Sequence, residues 1–405
     1  MGNLKVHDKL DIQAGGQVEV LDEFGSGGQG TVYKVSYNGK TYALKWYHPG
    51  VFKGKENDFY KNLENNISNG APTDAFLWPK AITKVYNDQF GYLMDVRPSG
   101  YEELTNFFVG GRKQKQARFK SFYALCTAAI NIIEAFRALH NNGYSINNGN
   151  FFINPENGDV LICDNDNVSP FGTNLGIMGK QRWMAPEIVM GKNDPDKNSD
   201  RFSLAVVLFR LLFINHPLEG RYSTPPCMTK EAEQKYYGSA PIFVYDPSTT
   251  ENRPIPGTDH NLKLFWNVYP DYVKEAFIRA FSHDVMMKQK PRILEKEWMD
   301  IFIRLRTEIG RCPYCGQETF YTFKGSHDIP CMECGKKIPI TNALQIKNQI
   351  LPIFPGLKIS LWTVDSSLED IRTQVAEVVK NPKDPKLLGF RNLSQRTWSI
   401  NLPDG

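Results

Sequence analysis

Two groups of residues have types and spacing that chemistry could use. Phe24 to Tyr33 reads F-G-S-G-G-Q-G-T-V-Y, which places Gly25, Gly27 and Gly30 at G-x-G-x-x-G spacing with Val32 two residues later. Glycines admit φ > 0 and have no Cβ to block approach, so such a turn can lie flat against a chain of phosphates. A glycine-rich hairpin turn has the same pattern, so the residues after the turn must decide. Towards the other end, C-P-Y-C-G and C-M-E-C-G place Cys312, Cys315, Cys331 and Cys334 in two CxxC pairs. Each pair points two thiolates at one ion, and the glycine after it permits the tight turn. Four thiolates close a tetrahedral site, the pattern of structural Zn2+ with no open position for catalysis. An iron site or a redox pair could use the same ligands.

The elements around these residues narrow the reading. Val18 to Leu21, Thr31 to Ser36 and Thr41 to Trp46 alternate as strands, with Asn38-Gly39 as the turn between the last two. The glycine loop therefore joins two antiparallel strands. A dinucleotide-binding loop runs from strand into helix instead, so that fold is excluded. Glu56 to Ile67 reads as a polar helix with Phe59, Leu63 and Ile67 inward, stopped by Gly70-Ala71-Pro72. Gly91 to Val96 reads as a buried strand. Phe119 to His140 reads as a long amphipathic helix with Leu125, Ala129, Ile132, Ile133, Phe136 and Leu139 on one side, stopped at L-H-N-N-G. The apolar run Phe202 to Ile214, interrupted by Arg210, fits a buried helix, and no segment reads as long enough to cross a membrane. Residues 350 to 405 read as short strands over Lys358–Val364, Gln374–Val379 and Arg396–Leu402. The last residues, Pro403-Asp404-Gly405, read as mid-turn, so an incomplete C-terminal domain is expected.

The chain has 405 residues, too many for one core. Hydrophobic residues at 41% and charged residues at 23% are ordinary for a globular chain. A net charge of +4 is too small to argue for nucleic acid or an anionic membrane. The tail lacks clustered Lys/Arg with aromatics, which ranks a nucleic-acid adaptor last. There is no N-terminal apolar segment, and Cys126, Cys163 and Cys227 are scattered outside the metal-spaced set. Both features suit a reducing cytoplasm better than a disulfide framework.

The strand after the glycine loop carries Y-A-L-K, ending at Lys45. At that point the chain resembles the small lobe of a protein kinase. The resemblance implies an α+β, two-lobed protein kinase fold, followed by a zinc ribbon and a small β-rich domain. Its divisions would be 12–96 for the small lobe, 97–308 for the large lobe, 309–340 for the ribbon and 341–405 for the β domain. It implies that ATP sits with its adenine under Val32 and Ala43, with Met94 behind, the backbone of Asp95, Val96 and Arg97 at its edge and Phe152 below. Lys45 would hold the α- and β-phosphates. Glu64 would pair with Lys45, with Glu56 as the fallback. Asn150, and Asp164 in V-L-I-C-D-N-D-N-V, would bind Mg2+, with Asn165 and Asp166 standing where Phe and Gly are usual. The missing Phe makes the usual in/out switch of that motif doubtful. Ala185-Pro186-Glu187 match A-P-E, Asp200 would anchor the catalytic loop, and Arg292 would pair with Glu187. Ser169 and Thr173 lie in the activation segment, and Lys180 replaces its usual threonine.

One part departs from the pattern. Where H-R-D-x-x-x-x-N is usual, Gly143 to Asn154 reads G-Y-S-I-N-N-G-N-F-F-I-N. Counting back from Asn150 puts Ser145 at the aspartate position, and counting forward from His140 puts Asn148 there. No Asp or Glu lies between Glu134 and Glu156. The aspartate accepts the substrate hydroxyl proton, and neither serine nor asparagine is a useful base near neutral pH. The arginine that would read an activation-segment phosphate is also absent, so phosphorylation control is not expected.

The whole arrangement resembles a bacterial kinase group with a C-terminal zinc ribbon, associated with von Willebrand A proteins and PPM-type phosphatases. D-N-D-N-V, R-W-M-A-P-E and H-P-L-E-G carry that likeness. It implies a MgATP-binding serine/threonine kinase-fold protein without the usual catalytic aspartate. The alternative is a pseudokinase scaffold that binds nucleotide and signals through partners. Removing zinc is expected to unfold the tail alone.

Overall fold

The glycine stretch closes a hairpin in an antiparallel sheet. β1 (Lys9–Asp11), β2 (Gln17–Ser26), β3 (Gly30–Tyr37), β4 (Lys40–Tyr47), β5 (Ala81–Ile82) and β6 (Gly91–Met94) lie in the order β1-β2-β3-β4-β6-β5. This computed structural model describes residues 4–108, 116–146, 150–171, 181–225, 227–325 and 328–398. Side chains alternate across a strand, so the sheet has two apolar faces. Val18, Val35, Leu44 and Trp46 fill one. Ala43, Tyr47 and Tyr92 fill the other, with Phe59 and Leu63 of α1 (Glu56–Asn69) packed on them. Lys45 stands between Ala43 and Tyr47 in this alternation and so shares the α1 side.

The large lobe is built around α2 (Phe122–Asn141). Ser121 caps it by accepting from the Ala124 amide at 3.0 Å. At 20 residues α2 is long and apolar enough to span a membrane, which corrects the sequence reading. Its apolar residues are instead core: Leu125, Ile132, Ile133 and Leu139 are buried in the largest apolar cluster. β7 (Glu102–Glu103), β9 (Asn150–Ile153) and β10 (Val160–Cys163) make a three-stranded sheet, and β8 (Tyr144–Ile146) pairs with β11 (Val168–Pro170). α3 (Pro186–Val189) leads to α4 (Lys197–Phe213), whose N-terminus is closed by a reciprocal capping box of Asp196 and Ser199.

The C-terminal part is fastened to this lobe. Two hairpins, β12 (Ile309–Arg311) with β13 (Glu318–Phe320) and β14 (Asp328–Pro330) with β15 (Lys337–Pro339), frame the cysteines. A third joins β16 (Ala343–Ile346) and β17 (Gln349–Pro352). β18 (Lys358–Ser360), β19 (Gln374–Lys380) and β20 (Leu388–Asn392) complete the tail. The strand expected over Lys358–Val364 stops at Ser360. The Ser360 hydroxyl caps a helical turn, Leu361–Val364, by accepting from the Thr363 amide at 3.3 Å. The strand expected at Arg396–Leu402 lies partly outside the described residues, and the third strand here is β20. Ile329 and Ile338 share one cluster with Ile359 and Val378, so the hairpins and the final sheet have a common core. Phe320, Trp362 and Ile371 are buried in the large-lobe core.

Candidate functional site

A cleft of about 850 Å³ lies between the small-lobe sheet and β9–β10. It gathers Gly25, Gly27, Gly30 and Val32 from the β2–β3 turn and Ala43 and Lys45 from β4. Met94 at the end of β6 and Asp95 and Val96 after it line the cleft, and Asn150, Phe152 and Asp164 close it from the large lobe. Glycine is required at Gly30, where a Cβ would stand 2.3 Å from the Trp46 carbonyl oxygen. The Arg97 guanidinium stacks 4.0 Å above the Phe152 ring.

Lys45 is 4% exposed, and its Nζ donates to Asp166 Oδ2 at 2.8 Å, Gln29 Oε1 at 3.0 Å and Asp164 Oδ1 at 3.2 Å. Burial alone would lower the Lys45 pKa; Asp166 and Asp164 outweigh it and hold the ammonium above its ordinary value. The Tyr47 hydroxyl donates to the same Asp166 oxygen at 2.5 Å. Asn150 Nδ2 donates to Asp164 Oδ2. Asp164 and Asn150 thus bring hard side-chain oxygens to one edge of the cleft, facing a lysine and a glycine-rich turn. Burial pushes the Cys163 thiol beside Asp164 up to about 12, which disfavours its thiolate form.

The turn carrying Asp164 is pinned from several sides. Asp164 takes φ +59°, a left-handed conformation that Asp tolerates better than most residues. Asn165 is fully buried, and its Nδ2 donates to the carbonyls of Ile162 at 2.7 Å and Leu77 at 3.0 Å. The side-chain amides of Asn62 and Asn66 on α1 each donate to the Val168 carbonyl at 2.9 Å.

Glu64 is not brought to Lys45, which corrects the expected pair. The buried face of α1 is Phe59, Asn62, Leu63 and Asn66. Glu64 is turned to the side, where its Oε1 accepts from Gln13 Nε2 at 2.5 Å. Asp166 supplies the buried carboxylate instead. Sequence reasoning registered Asp166 only as a replaced glycine. One signal could have found it: Tyr47, two residues past Lys45 on one strand, puts a hydroxyl on the lysine's own face.

Ser145 is buried in β8, in register with Ser169 of β11. Asn148, Thr173 and Lys180 lie outside the described residues. Around the loop, His140 on α2 bonds Glu295 Oε1 at 2.8 Å and Asp200 Oδ2 at 3.2 Å, and Arg201 Nε donates to Glu295 Oε1 at 2.8 Å. Arg292 Nη1 and Nη2 donate to Glu187 Oε1 and Oε2 at 2.9 and 2.8 Å.

The four metal-spaced cysteines converge. Their Sγ atoms all lie within 4.8 Å of one another, with Cys312–Cys334 at 3.8 Å and Cys315–Cys331 at 3.7 Å. Zn–S bonds of about 2.3 Å in a tetrahedron give edges of about 3.8 Å, so the set fits one zinc ion. Gly316 and Gly335 turn the chain behind each pair at φ +75° and +69°, and their amides donate to the carbonyls of Cys312 and Cys331. The Tyr314 amide donates to Cys312 Sγ at 3.4 Å.

Residues 18–249 match the family model described as protein kinase domain. The chain belongs to the protein kinase family. A probable serine/threonine-protein kinase of Dictyostelium discoideum is 28% identical over 202 residues, covering 47% of this chain and 19% of that protein. The probable serine/threonine-protein kinase kinX of the same organism is 26% identical over 211 residues, covering 48% of this chain and 18% of its own. The matched part thus spans about a fifth of the length of these curated relatives. A solved double mutant of the Mycobacterium tuberculosis PknI kinase domain is 18% identical with a TM-score of 0.40, covering 54% of this chain and 81% of that chain. In this family member the matched residues end before the cysteine pairs, so they and the tail that frames them lie outside the match.

Proposed function

We propose that the cleft binds MgATP and that the protein is a serine/threonine kinase, passing the γ-phosphate to a protein hydroxyl. The observation that carries this is Lys45 bonded to Asp164, with Asn150 bonded to the same carboxylate, under a glycine-rich turn. Mg2+ bound by Asn150 and Asp164 would neutralise charge on the β- and γ-phosphates. Lys45 would grip the α- and β-phosphates, and the turn from Gly25 to Gly30 would cover them with backbone amides. Val32, Ala43, Met94 and Phe152 would enclose the adenine, whose edge would meet the backbone of Asp95 and Val96. Phosphoryl transfer relies mostly on such positioning and charge, so it can run without a strong base. The cysteines would hold a structural zinc. The small lobe is assigned to 12–96, the large lobe to 97–308, the ribbon to 309–340 and the β unit to 341–405. The resemblance to the bacterial group supports cytoplasmic partners of the von Willebrand A and PPM-type phosphatase kinds.

A second reading is a pseudokinase scaffold that binds nucleotide and signals by lobe closure. It is favoured by the lack of any carboxylate between Glu134 and Glu156 and by Ser145 being locked in a strand. Titration calorimetry of the full chain with MgATP tests what both share. One-to-one binding that Lys45→Met and Asp164→Ala weaken supports the site, and no binding removes it. Phosphoryl transfer separates the two readings.

A further inference from the structure

We propose that Asp166, rather than a helix glutamate, is the residue that positions Lys45 against the phosphates of a bound nucleotide, with Tyr47 holding Asp166 in place. The inference rests on the nucleotide reading of the cleft and goes beyond it by assigning what sets the lysine.

Asp166 is fully buried, and one oxygen, Oδ2, accepts from both Lys45 Nζ and Tyr47 OH. Its Oδ1 has no hydrogen-bond partner among the described residues. Lys45 is the one cation within ion-pair distance of Asp166 among the described residues. A buried carboxylate with a single cation is tied to it, because either charge left alone in the interior is costly. Gln29 and Asp164 also touch Nζ, but both line the open cleft, where a bound ligand would compete for them. Asp166 is absent from the cleft lining. It therefore holds Nζ from behind, while the contacts with Gln29 and Asp164 lie on the cleft side, where a phosphate would displace or share them.

The placement changes what the lysine depends on. In the usual arrangement the lysine's partner sits on the helix, so helix position controls the site. Here the partner lies two residues past Asp164, on the turn that would bind the metal ion. Asn165, between the two carboxylates, is bonded to Leu77 and Ile162, and α1 reaches the same segment through Asn62 and Asn66. Lysine and metal-binding carboxylate are thus set by one pinned turn, and Glu64 plays no part in it.

The test is equilibrium binding of MgADP and of adenosine, which has no phosphates, to the full chain. Asp166→Asn should weaken MgADP by at least about tenfold, the size of a lost charged hydrogen bond, and leave adenosine within about twofold. Glu64→Gln should change neither. Lys45→Met should match Asp166→Asn, and the double variant should be no weaker than Lys45→Met alone, because Asp166 acts through Lys45. Tyr47→Phe keeps both charges and should give a smaller loss for MgADP only, which tests the assignment even if Asp166→Asn does not fold. Unchanged MgADP affinity in Asp166→Asn, equal loss of MgADP and adenosine, or fully additive effects with Lys45→Met would each overturn the assignment. A wild-type chain that binds neither ligand would instead overturn the nucleotide reading beneath it.

Discussion

The Trp362 indole N–H donates to Asp300 Oδ1 at 2.7 Å, fastening the turn after β18 to the helix Glu295–Thr307. Trp362 is 2% exposed and belongs to the large-lobe core together with Phe320. Glu318, on the hairpin beside the cysteines, accepts from the Phe122 amide at 2.6 Å, at the N-terminus of α2 where a negative charge is favoured. A tail attached in this way should not melt alone, contrary to the expectation from sequence. Removing zinc with a chelator, or by Cys331→Ser with Cys334→Ser, should lower the melting temperature of the whole chain in one transition. Trp362→Ala should cost about 3–5 kcal/mol. A separate early transition with the main one unmoved would contradict this attachment.

The Glu187–Arg292 pair joins α3 to the segment before the helix Glu295–Thr307, and both side chains are buried. Arg292 also donates to the carbonyls of Asn198 and Met286. Glu187→Ala leaves that guanidinium short of its counter-charge and should destabilise by about 3–5 kcal/mol in urea unfolding. Replacing both partners, Glu187→Leu with Arg292→Met, should recover much of the loss. A double variant as unstable as Glu187→Ala would show that the geometry, and not the stranded charge, carries the cost.

Stability should also depend on pH through His140. Burial alone would lower its pKa, but hydrogen bonds with Asp200 and Glu295 outweigh burial and raise it. A raised folded value means that this contribution is full below the unfolded imidazole value, about 6.5, and is lost as pH rises through the folded one. Glu295 runs the other way. Burial opposes its charge, yet His140 and Arg201 bring its carboxyl down to about 2. That contribution is present above the ordinary carboxylate range and is lost as pH falls towards 2. Unfolding followed from pH 5 to 9 should show a declining alkaline limb that His140→Gln flattens. The same slope in both proteins would remove His140 as its source.

Two glycines of one loop should answer differently to alanine. A Cβ on Gly30 would meet the Trp46 carbonyl, while one on Gly28 would meet nothing within 4 Å. Gly30→Ala should separate β3 from β4 and lower both melting temperature and MgADP affinity. Gly28→Ala should stay within about 0.5 kcal/mol of the parent. Equal effects would contradict close approach to the Trp46 carbonyl as the reason for glycine at position 30.

Much of the site was legible because its chemistry fixes residue type and order. The turn at Gly25–Gly30, Lys45, Asn150 and Asp164 all line one cleft, and the four cysteine sulfurs meet. The lysine's buried partner was not legible. Periodicity marked Phe59, Leu63 and Ile67 as inward on α1, and Glu64 beside them looked well placed. The inward face is completed by Asn62 and Asn66, polar residues that a hydrophobic pattern cannot flag. The docking of the tail was hidden for another reason. Trp362 and Phe320 are ordinary apolar residues locally, and their large-lobe partners are far away in sequence, as Asp300 is from Trp362 and Phe122 from Phe320.

The most direct measurement is transfer of labelled phosphate from γ-labelled ATP with Mg2+, to the full chain itself and to a generic protein substrate, beside Asp164→Ala. The account expects label on serine or threonine from the parent protein and none from the variant. No label from a parent protein that MgATP nonetheless stabilises against heat would contradict the kinase reading and leave the nucleotide-binding scaffold in its place.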